Sequence, residues 1–175
     1  YNYKLGTMTV KNVSVFYYGN DRADVANTDA AMNFSETYKT TAIGSIDKTL
    51  SIPGDLTDPN IQSETWYVGE KGEEVANYSY NFKLGTITKK STSIFFYQAG
   101  FLRATDALVT SEDAMTRSDN YKTGDVLSAV RDAATGNNLT SETFYKQDKG
   151  DETADYSYNY KLGTMTVKNV SVFYY

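Results

Sequence analysis

Three short strings in this chain carry the residue types of a serine nucleophile site. Ser45-Ile46-Asp47-Lys48 places a hydroxyl three residues before a lysine, and Ser118-Asp119-Asn120 and Lys122-Thr123-Gly124 follow it in order. Together they have the make-up of an acyl-transfer centre in which lysine activates serine. Such centres draw the second and third strings from distant parts of the chain, whereas here only Tyr121 separates them. The corresponding stretch earlier in the chain reads Ser35-Glu36-Thr37 and Lys39-Thr40-Thr41. No catalytic residue is assigned on this pattern, and a nitrocefin assay without turnover above buffer is the expected result.

Other candidate chemistry is weighed the same way. The acidic groups Glu70, Glu73, Glu74 and Asp148, Asp151, Glu152 offer oxygen ligands that suit calcium, but their spacing is not that of an Asp-x-Asp-x-Asp-Gly loop, and solvated charge on a hairpin tip accounts for them. Paired carboxylates for glycoside hydrolysis need two acids singled out by their surroundings, and none of the 22 stands out from sequence. Trp66 has the shape of a sugar platform; because Phe144 replaces it in the next copy of the same block, a large group filling a packing site is the better reading. Asn-x-Ser/Thr triplets at Asn12, Asn33, Asn77, Asn138 and Asn169 make glycans a candidate partner, if the chain meets a glycosylation machinery. Histidine and cysteine are both absent, which removes the commonest general base, thiolate ligands and disulfides. No metal site and no cofactor is assigned.

What must position any of these groups is a repeat. Tyr1–Tyr18 returns letter for letter as Tyr158–Tyr175, an offset of 157, and a looser copy at Tyr80–Tyr97 keeps 11 of the 18 positions. The units expected are 1–79, 80–157 and the opening of a third at 158–175. A second kept block runs from Ser63-Glu64-Thr65 to Asn77-Tyr78-Ser79 and again from Ser141-Glu142-Thr143 to Asp155-Tyr156-Ser157. Between the blocks the units drift, and extra residues near Ile52-Pro53-Gly54 mark a surface loop. Both termini fall inside the best-kept block, so the chain reads as an excerpt of a longer array whose neighbouring copies cover its ends.

Composition sets the element type. Threonine (22) and tyrosine (16) are abundant and favour strands. Large groups fall at every second position of Tyr78–Leu84, Thr92–Phe96 and Val13–Tyr17, the period of a strand. Glu70-Lys71-Gly72-Glu73 and Asp148-Lys149-Gly150-Asp151 read as hairpin tips, and Gly6, Gly85 and Gly163 as turns or bulges. The expected hairpins are 62–84 and 140–162, with a strand at 86–97. The stretches from Gly19 to Met32 and from Gly100 to Met115 suit a loop or helical turn, and Asp125 to Ala134, closed by Gly136, suits a short helix. Aromatic groups on both faces of Phe16–Tyr18 and Phe95–Tyr97 require cover on both sides, from a two-layer stack, a closed spiral or a neighbouring molecule. The fold class expected is all-β: a tandem array of antiparallel hairpins, as a β-spiral or stacked-sheet fibre, with few or no helices.

The string Tyr78-x-Tyr80-Asn81-x-x-x-Gly85-x-Ile87-Thr88, repeated as Tyr156-x-Tyr158-Asn159-x-x-x-Gly163-x-Met165-Thr166, resembles the Tyr-Asp repeats of Rhs-like and wall-associated bacterial surface proteins. Asn81 and Asn159 stand where that family has Asp. The resemblance implies hairpins winding as a continuous β-spiral in a large secreted or cell-surface protein.

Seventeen basic against 22 acidic residues, with no basic run longer than Lys89-Lys90, argues against nucleic acid as a partner. No apolar stretch approaches the roughly 20 residues of a bilayer span. The function expected is a non-enzymatic structural repeat of an extracellular or cell-surface fibre, filament or spiral scaffold, its partners being neighbouring copies of the repeat. The alternatives are a carbohydrate- or surface-binding adhesin module and the shell of a polymorphic toxin.

Overall fold

The computed structural model describes residues 1–19, 21–39, 58–129, 131 and 137–175. The strands are β1 (Asn2–Tyr3), β2 (Val10–Tyr18), β3 (Asp21–Arg22), β4 (Met32–Tyr38), β5 (Ile61–Val68), β6 (Val75–Phe82), β7 (Lys89–Tyr97), β8 (Leu102–Arg103), β9 (Met115–Tyr121), β10 (Leu139–Lys146), β11 (Thr153–Tyr160) and β12 (Val167–Val172). They form one antiparallel sheet in the order β1-β2-β4-β5-β6-β7-β9-β10-β11-β12, with β3 on β2 and β8 on β7. Every strand on this path pairs with its sequence neighbours, apart from the two short side strands, so the chain is a tandem array of hairpins.

The expected hairpins stand as β5–β6 and β10–β11, and the strand that follows them as β7. Sequence reading misses β4 and β9. In Phe34-Ser35-Glu36-Thr37-Tyr38 the alternation is complete only if Glu36 counts as a core residue, and burial shows that it does. The stretches upstream of these strands are turns apart from the two-residue β3 and β8. Of the helix expected from Asp125, the described part is one 3-10 turn, Val126–Ser128, with the Asp125 carboxylate accepting from Leu127 N–H. Ala134 and Gly136 lie outside the described residues, as do Ser45–Lys48 and Pro53.

The block that returns three times folds the same way each time. Lys4, Lys83 and Lys161 each donate N–H to the carbonyl of Thr9, Thr88 and Thr166 at 2.9 Å. The hydroxyls of Thr7, Thr86 and Thr164 accept from the N–H two residues on, each at 3.1 Å. Gly6, Gly85 and Gly163, between them, hold φ of 72–80°, a left-handed turn that glycine adopts without strain. Gly19 (φ 65°) has Gln98 (φ 58°) in its place in the next unit; Gln98 offsets the strain by donating to Leu108 O and the Asp113 carboxylate.

Register sorts the side chains into two faces. One carries Val13, Val15, Tyr17, Phe34, Tyr38, Ile61, Tyr80 and Phe82 as a buried cluster, continued by Ile94, Tyr121 and Leu139. Val126 packs against both clusters and so bridges them. The opposite face carries two rows of small polar groups, Ser14, Thr37, Ser63, Asn81 and Ser91 in one and Ser118, Thr143, Ser157 and Ser171 in the other, and Phe95 packs into a separate apolar cluster with Val75, Tyr97 and Ala104. Asn2, Asn81 and Asn159 each use Nδ2 to reach two groups on the next strand: Asn12 and Ser14, Ser91 and Ser93, and Asn169 and Ser171. An Asp in these places has no N–H to donate.

Candidate functional site

The groups with the most unusual surroundings are four carboxylates on the apolar face. Glu36 of β4 stands directly opposite Glu64 of β5, and Asp119 of β9 directly opposite Glu142 of β10. All four are buried, Glu64 and Glu142 at 1% exposure and Asp119 at 0%. Carboxylates removed from water need donors or counter-charges, and the two pairs find different ones.

In the first pair Glu36 Oε2 accepts from Tyr17 OH at 2.8 Å and from Tyr38 OH at 2.6 Å. Glu64 Oε1 accepts from Trp66 Nε1 at 2.6 Å, while its Oε2 has no hydrogen-bond partner among the described residues. Burial pushes the Glu64 carboxyl above its ordinary range and Glu36 adds to this, against the pull of Trp66 and Lys89. Burial and then Glu36 likewise push the Tyr17 phenol up, and burial with the Glu36 hydrogen bond does the same to Tyr38, so both tyrosines remain donors.

The second pair is built with cations. Phe96 stands where Tyr17 stood and brings no hydroxyl, but Arg117 stands where Phe34 stood. Arg117 Nε lies 2.9 Å from Asp119 Oδ1 as an ion pair without aiming its N–H at it; the hydrogen bond runs from Arg117 Nη2 to Oδ2 at 3.2 Å. Its guanidinium also lies 4.1 Å from the Phe96 ring centre and 4.6 Å from that of Phe101. Glu142 loses the indole donor, because Phe144 replaces Trp66, and accepts instead from Arg131 and from Tyr160 OH. Burial raises Asp119 to about 6, against the pull of Arg117 and with Glu142 adding to the rise.

Trp66 is a packing group. It stacks between Phe34 (5.1 Å) and Tyr78 (6.1 Å), continuing a row that starts at Tyr17. Phe144 stacks on Tyr156 at 4.7 Å in the same place of the second unit and meets Phe101 edge-on. Beside this second row an opening of about 410 Å³ is lined by Phe101, Phe144, Tyr145 and Tyr156.

The remaining sequence candidates are dispersed. Strand alternation puts Ser118 and Asn120 on the polar face and Asp119 on the apolar one, so that string does not converge. Ser118 Oγ lies 3.0 Å from Tyr145 OH, and the Thr123 carbonyl accepts from Thr92. The hairpin-tip acids divide: Glu74 accepts from Met32 N and Gly72 N, and Glu152 from Met115 N and Gly150 N, so each ties its tip to the strand at the far side of its hairpin. Burial pushes Glu74 up, but these donors together hold it below its usual range. No group of three or more metal-ligating side chains occurs among the described residues. Among the triplet asparagines, Asn77 is buried and accepts from Arg103 at 2.7 Å.

Sequence reasoning meets Asp119 only within a string it rejects and assigns a role to none of the four buried acids. A signal exists: Ser-Glu-Thr is kept at 63–65 and 141–143 while the neighbouring aromatic changes. In family models, curated proteins and solved structures alike, the comparisons gave no match to this chain. No helix among the described residues is long and apolar enough to cross a membrane.

Proposed function

We propose that this chain is a non-enzymatic structural repeat, a length of a secreted or cell-surface fibre, filament or spiral wall. The observation that carries the reading is the recurrence of whole bonding patterns rather than of letters. The Asn-to-Ser bridge, the Lys-to-Thr turn and the glutamate that ties each hairpin tip reappear with near-equal distances in successive units. The Tyr-x-Tyr-Asn strings that resemble the Tyr-Asp repeats of bacterial surface proteins support the same reading. The buried carboxylates fit it too, since their oxygens face tyrosine, tryptophan and arginine donors inside the sheet, away from solvent.

A structural array of this kind has a period. Each unit adds four strands to the main path, and at a strand spacing near 4.8 Å that is about 19 Å per unit and about 38 Å per pair of units. Electron microscopy of native material should find one of these along the strand-stacking direction. Purified chain that sediments as a compact monomer with helical circular dichroism overturns the proposal.

A second reading, an adhesin module, is favoured by the aromatic opening beside Phe144. Aromatic faces in an open pocket suit sugar rings. A glycan array that yields a specific ligand, lost on Phe144→Ala, would establish it; an array without ligands removes it.

A further inference from the structure

Three central strands of the sheet carry an extra residue at the same place. Tyr38 pairs with Ile61 and Thr37 with Ser63, Phe82 with Lys89 and Asn81 with Ser91, and Tyr121 with Leu139 and Asn120 with Ser141. Gln62, Lys90 and Thr140 are passed over, each the second residue of its strand, β5, β7 and β10. Bulges of this kind re-aim a side chain. The two neighbouring lysines of β7 part here: Lys89 turns to the apolar face, its ammonium 3.6 Å from the Tyr80 ring centre, while Lys90 stands exposed beside Asn81 and Ser91 on the polar one.

Around these three residues the polar face opens. One recess, of about 400 Å³, is bordered by Gln62, Asn81, Lys90 and Asn120, and a second, of about 330 Å³, by Lys90, Asn120, Lys122 and Thr140. Because they share Lys90 and Asn120, they form one trough that crosses β5, β6, β7, β9 and β10. Asn81 Nδ2 and Asn120 Nδ2 both reach Ser93 Oγ, at 3.2 and 3.5 Å, which fixes two amides in its floor. None of its lining residues is acidic, in a chain with 22 acids. Lys90 and Lys122 are exposed, and neither forms an ion pair among the described residues.

We infer that this trough binds a polysaccharide whose sugars carry carboxylates, a polyuronate. The amides of Gln62, Asn81 and Asn120 and the Thr140 hydroxyl both donate and accept, as sugar hydroxyls require. Lys90 in the first recess and Lys122 in the second each supply one ammonium, which matches singly charged carboxylates. Doubly charged phosphate groups are met by arginine clusters, and the four arginines of this chain are committed elsewhere: Arg22 and Arg103 over Tyr17 and Phe96, Arg117 to Asp119 and Arg131 to Glu142. A bound peptide strand pairs with backbone groups at a sheet edge, whereas here, in the middle of the sheet, those groups are engaged in the ladder. The first unit repeats the cations. Lys11 is passed over between the pairs Asn2–Asn12 and Tyr3–Val10 as Lys90 is in β7, and Lys39 follows Tyr38 as Lys122 follows Tyr121. The two sets stand four strands apart, about 19 Å, so one polymer engages both and gains avidity. This inference goes beyond the structural role proposed for the chain and rests neither on it nor on the opening beside Phe144.

The test passes the full chain over immobilised polygalacturonate, its methyl ester, dextran and polyphosphate. Binding to polygalacturonate that weakens as salt rises, with none to the ester or to dextran, is the expected result. Lys90→Gln/Lys122→Gln should weaken it about tenfold or more, and adding Lys11→Gln/Lys39→Gln should weaken it further. Lys146→Gln/Lys149→Gln, the same change of charge at a hairpin tip, should leave it within about twofold. All these lysines are exposed, so circular dichroism should be the same throughout. No binding to polygalacturonate, equal binding to its ester, tighter binding to polyphosphate, or equal losses from the trough and tip variants overturns the inference. So does a chain that self-associates in low-salt sedimentation and ceases to do so in Lys90→Gln/Lys122→Gln, since the trough then belongs to a second copy. The axial period of native material judges the array reading separately from any of these results.

Discussion

Replacing Arg117 by Phe, the residue that stands in its place in the first unit, isolates what the second carboxylate pair depends on. The ion pair spans 2.9 Å, with the Asp119 side chain at 0% exposure and that of Arg117 at 11%. Breaking a buried pair from one side costs about 3–5 kcal/mol, because the other charge stays behind. Two structural facts reduce this. Arg131 still acts on Asp119, and the new ring can stack with Phe96 and Phe144, which contributes about 1 kcal/mol. The net loss is then about 2–3 kcal/mol. Adding Phe96→Tyr supplies the hydroxyl that Tyr17 uses toward Glu36, and a hydrogen bond to a charged group contributes about 1.5–3 kcal/mol. Since Asp119 is one methylene shorter than Glu36, the recovery expected is about 1–2 kcal/mol. Phe96→Tyr alone, beside an Arg117 that already serves the carboxylate, should gain nothing. Urea unfolding followed by far-UV circular dichroism reads all four proteins. With a slope near 2 kcal/mol per molar urea, Arg117→Phe should move the midpoint down by about 1 M and the double variant should regain half or more. A single variant that loses less than about 0.5 kcal/mol, no more than an ordinary surface substitution, refutes the argument that these two positions compensate each other. So does a double variant no better than the single one.

Further outcomes follow from the same contacts. The Asp119 carboxyl, raised to about 6 when folded, favours the folded state while protonated; its contribution is full below about pH 4 and falls away as pH rises through 6, by about 3 kcal/mol in all. Glu64 is shifted in the same direction, so urea midpoints should drop between about pH 4 and 7, and Asp119→Asn should flatten that slope. Gly69→Ala places a Cβ 2.3 Å from the Glu73 carbonyl and should cost about 2–3 kcal/mol, whereas Gly72→Ala, with open space around it, should cost about 1; thermal melts of both separate clash from backbone preference. Asn81→Asp removes the Nδ2 donor to Ser91 and Ser93 and should cost about 1 kcal/mol in the same melts.

The hairpins are legible in the sequence because their apolar groups alternate without interruption, as in Tyr78 to Phe82, and because their tips carry glycine between charges. β4 and β9 are not, and the reason is chemical. Glu36 and Asp119 sit at inward positions, where an acid reads as a break in the pattern unless its donors are known, and those donors come from other strands or from other positions of the same one. The Ser118-Asp119-Asn120 string has the look of a catalytic signature for the same reason: a buried charge in a strand imitates a site. The exchange of Tyr17 and Phe34 for Phe96 and Arg117 is visible in sequence only once the register sets these residues side by side. The 3-10 turn at Val126 reads as a longer helix because a capping aspartate signals a start and says nothing about length.

A chain of near-identical strands faces an alignment problem, and the two carboxylate pairs solve it. If β4 were to slip into the place of β9, Glu36 would meet Glu142 with Phe34 where Arg117 should be and Phe96 where a tyrosine should donate. Two acids would then share one cation, Arg131, with Tyr38 and Tyr160 left as their hydroxyl donors, so a slip by one unit loses the Tyr17 donor and the Arg117 charge. A slip by two units meets no such mismatch in the block shared by Tyr1–Tyr18 and Tyr158–Tyr175. The tyrosine-served pair of the first unit and the arginine-served pair of the second thus distinguish one unit from the next, where the shared block does not.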